Sequence, residues 1–205
     1  MQEKEVTQIL KSDLNFDSNL INKLKLFSDM LIKANQSHNF ISKNTENDIW
    51  HRHILDSAQL VKFIDFQTLS LADFGTGAGF PGIVLAIFNQ NKDFHVKLYE
   101  KSPVKRKFLK NVIKELDINA NVFSNIYDES EEVYVETVVC RAFKKLDKVI
   151  QVSREIVKKP HKLIVLKGQN AQEELNKAFK KGKYPYKIEK SITNKDSKII
   201  IININ

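Results

Sequence analysis

Leu71-Ala72-Asp73-Phe74-Gly75-Thr76-Gly77-Ala78-Gly79-Phe80-Pro81-Gly82 is the stretch that decides the fold. An apolar run ends in an acid, and four of the chain's six glycines follow within residues 75–82. Glycine tolerates the backbone angles of a sharp reversal, and Pro81 suits the first residue of a helix, because its missing N–H is one that a helix start leaves unpaired anyway. The pattern predicts a strand over 69–74, a tight turn, and a helix over 81–88. In a doubly wound sheet such a turn lies beyond the carboxyl end of a strand, where ligands bind.

Outward from this turn the chain alternates. Short β-rich runs at 95–100, 121–125, 135–142 and 162–167 are separated by helical patterns at 104–116, 146–157 and 171–181. Repeated strand–helix–strand units imply a parallel sheet with right-handed crossovers and helices on both faces. The end differs: strand-like runs at 184–193 and 198–204 are joined only by Asn194-Lys195-Asp196-Ser197, too short for a crossover, so a hairpin is expected. Before residue 70 the texture is helical. Leu20, Leu24, Phe27, Leu31 and Ala34 recur at helical spacing after an Asp17-Ser18 start signal, and a second periodic run spans 49–64, with a loop at 38–44 between them. The expectation is an α/β, Rossmann-like fold with a seven-stranded, mostly parallel sheet, a C-terminal antiparallel hairpin and a helical N-terminal extension. The boundary is placed between 1–66 and 67–205.

With 42% hydrophobic and 28% charged residues, the 205-residue chain falls outside the disordered and collagen-like classes. No apolar stretch approaches the length of a membrane span, and the start lacks a secretory core, so a cytoplasmic protein without membrane attachment is expected. One cysteine, Cys140, excludes an internal disulfide and a multi-cysteine zinc site. His51 and His53 point to different sides of a helix and cannot chelate one ion, so no metal is expected. The net charge of +8 is lopsided: residues 1–70 sum to −1, residues 71–205 to +9. A basic surface of this kind attracts polyanions such as nucleic acid.

Two ligand chemistries compete for the glycine turn. Gly77-x-Gly79-x-x-Gly82 satisfies the dinucleotide fingerprint, which would make the chain an NAD-linked oxidoreductase. Read as Asp73-x-Gly75-x-Gly77-x-Gly79, an acid ends the strand and the glycines alternate from its tip. An acid there suits a ligand with an ammonium group and repels a pyrophosphate, which favours S-adenosylmethionine. Glu100 ends the next strand, where a carboxylate can accept both hydroxyls of a ribose.

Asn39-Phe40-Ile41, Ile49-Trp50-His51-Arg52-His53-Ile54-Leu55-Asp56-Ser57, Asp73 to Gly82, Phe108-Leu109, Arg141-Ala142-Phe143 and Leu166-Lys167-Gly168 together resemble the bacterial small-subunit rRNA methyltransferase G family, also called glucose-inhibited division protein B. The segments run in family order from about residue 35 to 170. The resemblance implies a class I methyltransferase fold and S-adenosylmethionine-dependent methylation of N7 of a guanine in the 530 stem-loop of 16S ribosomal RNA. It places cofactor contacts on Gly75, Phe80, Ile126, Tyr127 and Arg141. Where many members carry an acid directly after the position of Ile126, this chain has Tyr127 and then Asp128, so a backbone amide and the Tyr127 ring are expected to serve the adenine.

Guanine N7 holds an in-plane lone pair and has no proton to lose, so its methylation needs no general base; geometry and field must carry catalysis. O6 is the remaining acceptor on that edge, and Arg or Lys is its usual partner. Arg141 and Lys167, at the ends of the fourth and fifth predicted strands, are the candidates. Lys outnumbers Arg 29 to 4, which singles out Arg52, Arg106 and Arg141 as positions where a planar five-donor fork is required. Arg52, Arg106, Arg141 and Lys167 are therefore the expected RNA contacts, with Lys144, Lys145, Lys180, Lys181 and Lys183 as a possible phosphate-facing rim. His53 falls on an apolar helix face and is read as a packed histidine rather than a catalyst, with Asp56 fixing the segment near it. The expected partner is 16S ribosomal RNA or the small subunit, and the protein is expected to be a monomer. The remaining alternative is an RNA-binding or regulatory protein that keeps the fold without turnover.

Overall fold

The computed structural model describes residues 1–127, 132–179 and 184–205. The N-terminal part is helical: α1 (Glu3–Leu14), α2 (Ser18–Asn35) and a single turn, α3 (Lys43–Glu46). Asp17 caps α2, its carboxylate accepting from the Leu20 amide at 2.8 Å, as the start signal predicts. The segment expected as a plain loop over 38–44 is organised by Asn35, whose side-chain oxygen accepts from the amides of Phe40 and Ile41. The run over 49–64 is not one regular helix. It is π-helical over Trp50–Leu55, passes through α4 (Asp56–Ala58) and ends as a 3-10 turn over Gln59–Phe63. Such wide turns are rare and concentrate at functional sites.

Five strands follow in parallel: β1 (Ser70–Phe74), β2 (His95–Tyr99), β3 (Ala120–Phe123), β4 (Thr137–Arg141) and β5 (His161–Lys167). Helices α5 (Gly82–Phe88), α6 (Pro103–Leu116), α7 (Leu146–Ile156) and α8 (Ala171–Ala178) follow β1, β2, β4 and β5. The expected hairpin is present as β6 (Tyr186–Lys190) and β7 (Lys198–Ile204), with β7 antiparallel to both β5 and β6. The seven strands lie in the order β3-β2-β1-β4-β5-β7-β6. The order reverses between β1 and β4, and a crevice opens at the carboxyl ends of strands at such a switch point. Pro81 caps α5 after a cis Phe80–Pro81 bond instead of being its first residue.

Strand alternation sorts the side chains. Leu71, Val139, Ile164 and Leu166 face a cluster shared with Leu10, Leu24, Phe27, Ile83 and Leu109, so the N-terminal helices, α5 and α6 close over one face in continuous apolar contact. Ala72, Phe74, Val138, Cys140 and Val165 face the other cluster, which includes Leu146, Val149 and Leu175 of α7 and α8. By the same parity Asp73 and Arg141 point toward the N-terminal helices and Lys167 points toward α8.

Gly82 is where α5 comes closest to the sheet. A β-carbon there would meet Leu98 Cδ2 at 2.2 Å and the Asp73 carboxylate at 2.8 Å. Gly82→Ala should therefore lower stability by about 1–3 kcal/mol through overpacking, read as a lower urea midpoint at unchanged m-value. An unshifted midpoint would show that the helix can lift off the sheet freely.

Candidate functional site

The turn after β1 has positive φ at Gly75 (75°), Gly77 (61°) and Gly79 (106°), which side chains disfavour. It is held from the side: the amides of Gly75 and Thr76 both donate to the Tyr99 carbonyl at 3.0 Å, and the Gly77 amide donates to Glu100 Oε2 at 3.0 Å. Glu100 Oε1 accepts from the Ser102 amide at 2.7 Å, so the strand-end acid orders its own loop as well as the glycine turn. Asp73 holds the turn from below, with Oδ2 accepting from the Gly82 amide at 2.8 Å. The carboxylate expected to meet a ligand's ammonium group is thus sealed under the turn, fully buried, with Oδ1 lacking a partner among the described residues. Burial pushes its pKa up to about 6, against the hydrogen bond from the Gly82 amide and the charge of Arg141.

Two cavities open at this switch point. The smaller, about 170 Å³, is lined by Gly75, Tyr99, Glu100, Ile126 and Phe143 among others. Phe143 presses on the turn so closely that a β-carbon on Gly75 would lie 2.5 Å from its ring. Apolar walls, exposed turn backbone and one carboxylate fit a nucleoside whose base lies between Ile126 and Phe143 and whose ribose hydroxyls meet Glu100. Tyr127 is 41% exposed and does not line this cavity; its amide donates to Asn125 Oδ1. Asp128 lies outside the described residues.

The larger cavity, about 700 Å³, is lined by Arg52, His53, Asp56, Arg141, Lys167 and Glu174 among others. Arg141, Ala142 and Phe143 separate the two, with Arg141 and Ala142 on the large side and Phe143 on the small one. Arg141 Nη1 donates to the Arg52 carbonyl (3.0 Å) and to Asp56 Oδ2 (3.3 Å), and Nη2 lies 2.8 Å from His53 Nδ1. The guanidinium sits 5.2 Å from the Phe80 ring centroid, and the His53 ring stacks on Phe80 at 5.0 Å. An arginine cannot accept, so His53 Nδ1 is the acceptor and the neutral ring carries its proton on Nε2. Burial first, then the charges of Arg141 and Arg52, lower the His53 pKa to about 3. Asp56 Oδ1 accepts from Gln59 Nε2 (3.0 Å) and from the Thr193 hydroxyl (2.7 Å).

Three of the four expected RNA contacts have partners within the protein. Both terminal nitrogens of Arg141 are engaged within the protein, so Arg141 is a tie between the N-terminal segment and β4. Arg106 Nη1 donates to the carbonyls of Glu100 (3.1 Å) and Lys101 (2.5 Å), strapping the end of β2. Lys167 Nζ pairs with Glu174 (2.8 Å) and donates to the Lys144 carbonyl (2.5 Å). Arg52 alone of the four is exposed at the cleft rim without a side-chain partner among the described residues. Phe80 is buried against Phe27, His53 and Arg141 and lines neither cavity. Lys144 lies over the Phe143 ring, while Lys180, Lys181 and Lys183 fall outside the described residues. Among the described residues no cluster of His, Cys, Asp and Glu could hold a metal, and no helix is long and apolar enough to cross a membrane. Phe143 and Glu174 were not distinguished as site residues by sequence reasoning; the motif Arg141-Ala142-Phe143 was the one signal for the former.

Residues 20–201 match the family described as rRNA small subunit methyltransferase G. The chain is 36% identical over 183 residues to ribosomal RNA small subunit methyltransferase G of Pelagibacter ubique, covering 87% of this chain and 85% of that protein. Its fold is similar to a putative O-methyltransferase from Klebsiella pneumoniae, with a TM-score of 0.63 at 10% identity over 98% of this chain and 97% of the other. A SAM-dependent methyltransferase from Aquifex aeolicus matches with a TM-score of 0.54 at 11% identity, over 72% and 88% of the two chains.

Asp73 and His53 leave opposite marks on stability. The fold holds the Asp73 proton more tightly than the unfolded chain does, so that contribution to stability falls as pH rises from about 4 to about 6. The fold excludes a proton from His53, so its contribution rises from about pH 3 to about 6.5. Between about pH 4 and 6 the slopes oppose. Asp73→Asn should remove only the first and make stability climb more steeply with pH there, by up to about 1.4 kcal/mol per pH unit. Urea titrations at constant ionic strength measure this, and an unchanged slope would show that Asp73 is ionised throughout.

Proposed function

Because the chain belongs to the rRNA small subunit methyltransferase G family, we propose that it methylates N7 of a guanine in the 530 stem-loop of 16S ribosomal RNA, using S-adenosylmethionine. The observation that carries this reading is the pair of cavities on either side of the Arg141-Ala142-Phe143 segment, one lined by the glycine turn and fitted to a nucleoside, the other large enough for a base on its backbone. When bound, S-adenosylmethionine supplies an electrophilic methyl group on a positively charged sulfur. Gly75 and Gly77 let the turn backbone approach it, Glu100 accepts from the ribose, and Ile126 and Phe143 enclose the adenine. Asp73 acts from beneath, its negative field favouring a cationic ligand over a pyrophosphate.

The His53 and Asp56 side chains beside Arg141 suit a nucleophile with no proton to give up. His53 Nδ1 is engaged by Arg141 and the ring stays neutral, while both oxygens of Asp56 are engaged by Arg141, Gln59 and Thr193, so neither is free as a general base. Held there, the donor would supply a methyl group that guanine N7 could take through its lone pair without giving up a proton, so no residue of the cavity would have to accept one. What remains for the protein is alignment and exclusion of water. Arg141, clamped over Phe80, fixes the wall between the cavities, and Arg52 at the rim is placed to meet an RNA phosphate. Helices 1–66 serve as a roof that delivers Arg52, His53 and Asp56 to the cleft.

Tritium from labelled S-adenosylmethionine should appear on rRNA or small subunits taken from a strain lacking the gene, with the product identified by mass as 7-methylguanine. No label on any guanine would remove this reading. S-adenosylhomocysteine should raise the melting temperature and NAD should not, the reverse being expected of an oxidoreductase. Gly75→Ala, which drives a β-carbon into Phe143 at a positive φ, should abolish the S-adenosylhomocysteine shift; an unaltered shift would mean that the ligand does not approach the turn.

A further inference from the structure

Lys167 and Glu174 occupy the wall of the larger cavity on the α8 side of the sheet, the side to which strand parity directs Lys167. Nζ lies 2.8 Å from Glu174 Oε2 and 2.5 Å from the Lys144 carbonyl. An ammonium has three donors, so one is left over. Glu174 Oε2 also accepts from the Leu146 amide at 2.6 Å, at the start of α7. Both of the glutamate's bonds thus fall on one oxygen, and Oε1 has no partner among the described residues. The two side chains are only 10% and 22% exposed, so they are held in place. Asp56, the other carboxylate of this cavity, has both oxygens engaged. Both residues line the cleft, so its wall carries one spare donor beside one spare acceptor.

We propose that Lys167 and Glu174 select the target base by reading the Watson–Crick edge of guanine, an inference that rests on the methyl transfer proposed above. Lys167 donates to O6, and Glu174 Oε1 accepts from N1–H and the N2 amino group. Enzymes that act on extruded bases commonly read this edge. Guanine presents an acceptor and then donors along it, which matches a lysine beside a glutamate. Adenine presents an amino donor and then the N1 lone pair, so the ammonium would face a donor and the carboxylate a lone pair. Held in this way, guanine leaves its N7 lone pair uncovered. The carboxylate also lies close to a purine that becomes positively charged during transfer, so it contributes to rate as well as to binding.

The test compares the native RNA with RNA in which inosine, which lacks the N2 amino group, is ligated in place of the target guanine. Both are presented in whichever form, naked or assembled, the native RNA is methylated. The wild-type protein should favour guanine over inosine by about 10–100-fold in kcat/KM, the loss expected for one hydrogen bond to a charged group. Glu174→Gln keeps a carbonyl oxygen for the Leu146 amide but turns a donor toward the base. It should lower kcat/KM on the native RNA by a similar factor and bring the guanine-to-inosine ratio to within about twofold, with S-adenosylhomocysteine affinity unchanged. A residue that merely caps α7 would leave that ratio as in wild type. Equal wild-type rates on the two RNAs overturn the proposal, and this measurement decides alone if Glu174→Gln fails to fold. A preserved ratio in a folded Glu174→Gln protein overturns it too. Label on guanine with a flat ratio removes only this inference, whereas no label on the native RNA removes the methyl-transfer reading with it.

Discussion

The bond from the Gly82 amide to the buried Asp73 carboxylate is the constraint on which the site is built. It ties the end of β1 to the start of α5, and the reversal between them has then to be completed by residues that tolerate positive φ. A carboxylate fits there only because Gly82 has no side chain to exclude it. Burying that group away from water is unfavourable, which is why its proton is held to about pH 6. The Tyr99 carbonyl and Glu100 complete the frame from β2, so the turn is fixed on two sides before any ligand arrives. A cleft assembled in advance loses less ordering entropy on binding.

Arg141 does on the neighbouring strand what Asp73 does on β1. Its guanidinium joins the Arg52 carbonyl, Asp56, His53 and the face of Phe80, and so holds the N-terminal segment against the glycine turn. The π-helical turn at Trp50–Leu55 brings Arg52 and His53 to this junction. Because that junction is knitted through one cation, removal of Arg141 would leave the Asp56 carboxylate without its charge partner in a largely buried setting, which is strongly destabilising. Folding and site geometry are thus inseparable at this residue.

The sheet was legible from periodicity because a parallel sheet needs apolar strands and amphipathic crossovers, and this chain spaces them regularly. The hairpin was legible because four residues cannot cross a sheet. What escaped was direction and partnership. Asp73 reads as a ligand contact in the motif, yet alternation along β1 sends it under the turn. Arg141, Arg106 and Lys167 read as RNA contacts, yet Arg106 straps the nearby carbonyls of Glu100 and Lys101, while Arg141 and Lys167 also reach partners distant in sequence. Glu174 looks like one more surface glutamate of α8 until Lys167 and the Leu146 amide are seen to converge on one of its oxygens. Such pairings across the fold leave no periodic trace, and neither does the wide turn at residues 50–55, whose apolar spacing imitates an ordinary helix.

Gln59 and Thr193 carry this interdependence to the far end of the chain. The Gln59 amide reaches Ser191 Oγ and the Ile192 amide, and Thr193 donates to Asp56. The link between β6 and β7, at the antiparallel margin of the sheet, is therefore mechanically continuous with the clamp around Arg141. In such a molecule the last strands are more than an edge cover. Shortening or grafting that connection would be felt at the mouth of the cleft, so natural variation in its length should be confined to the 194–197 side, beyond the threonine.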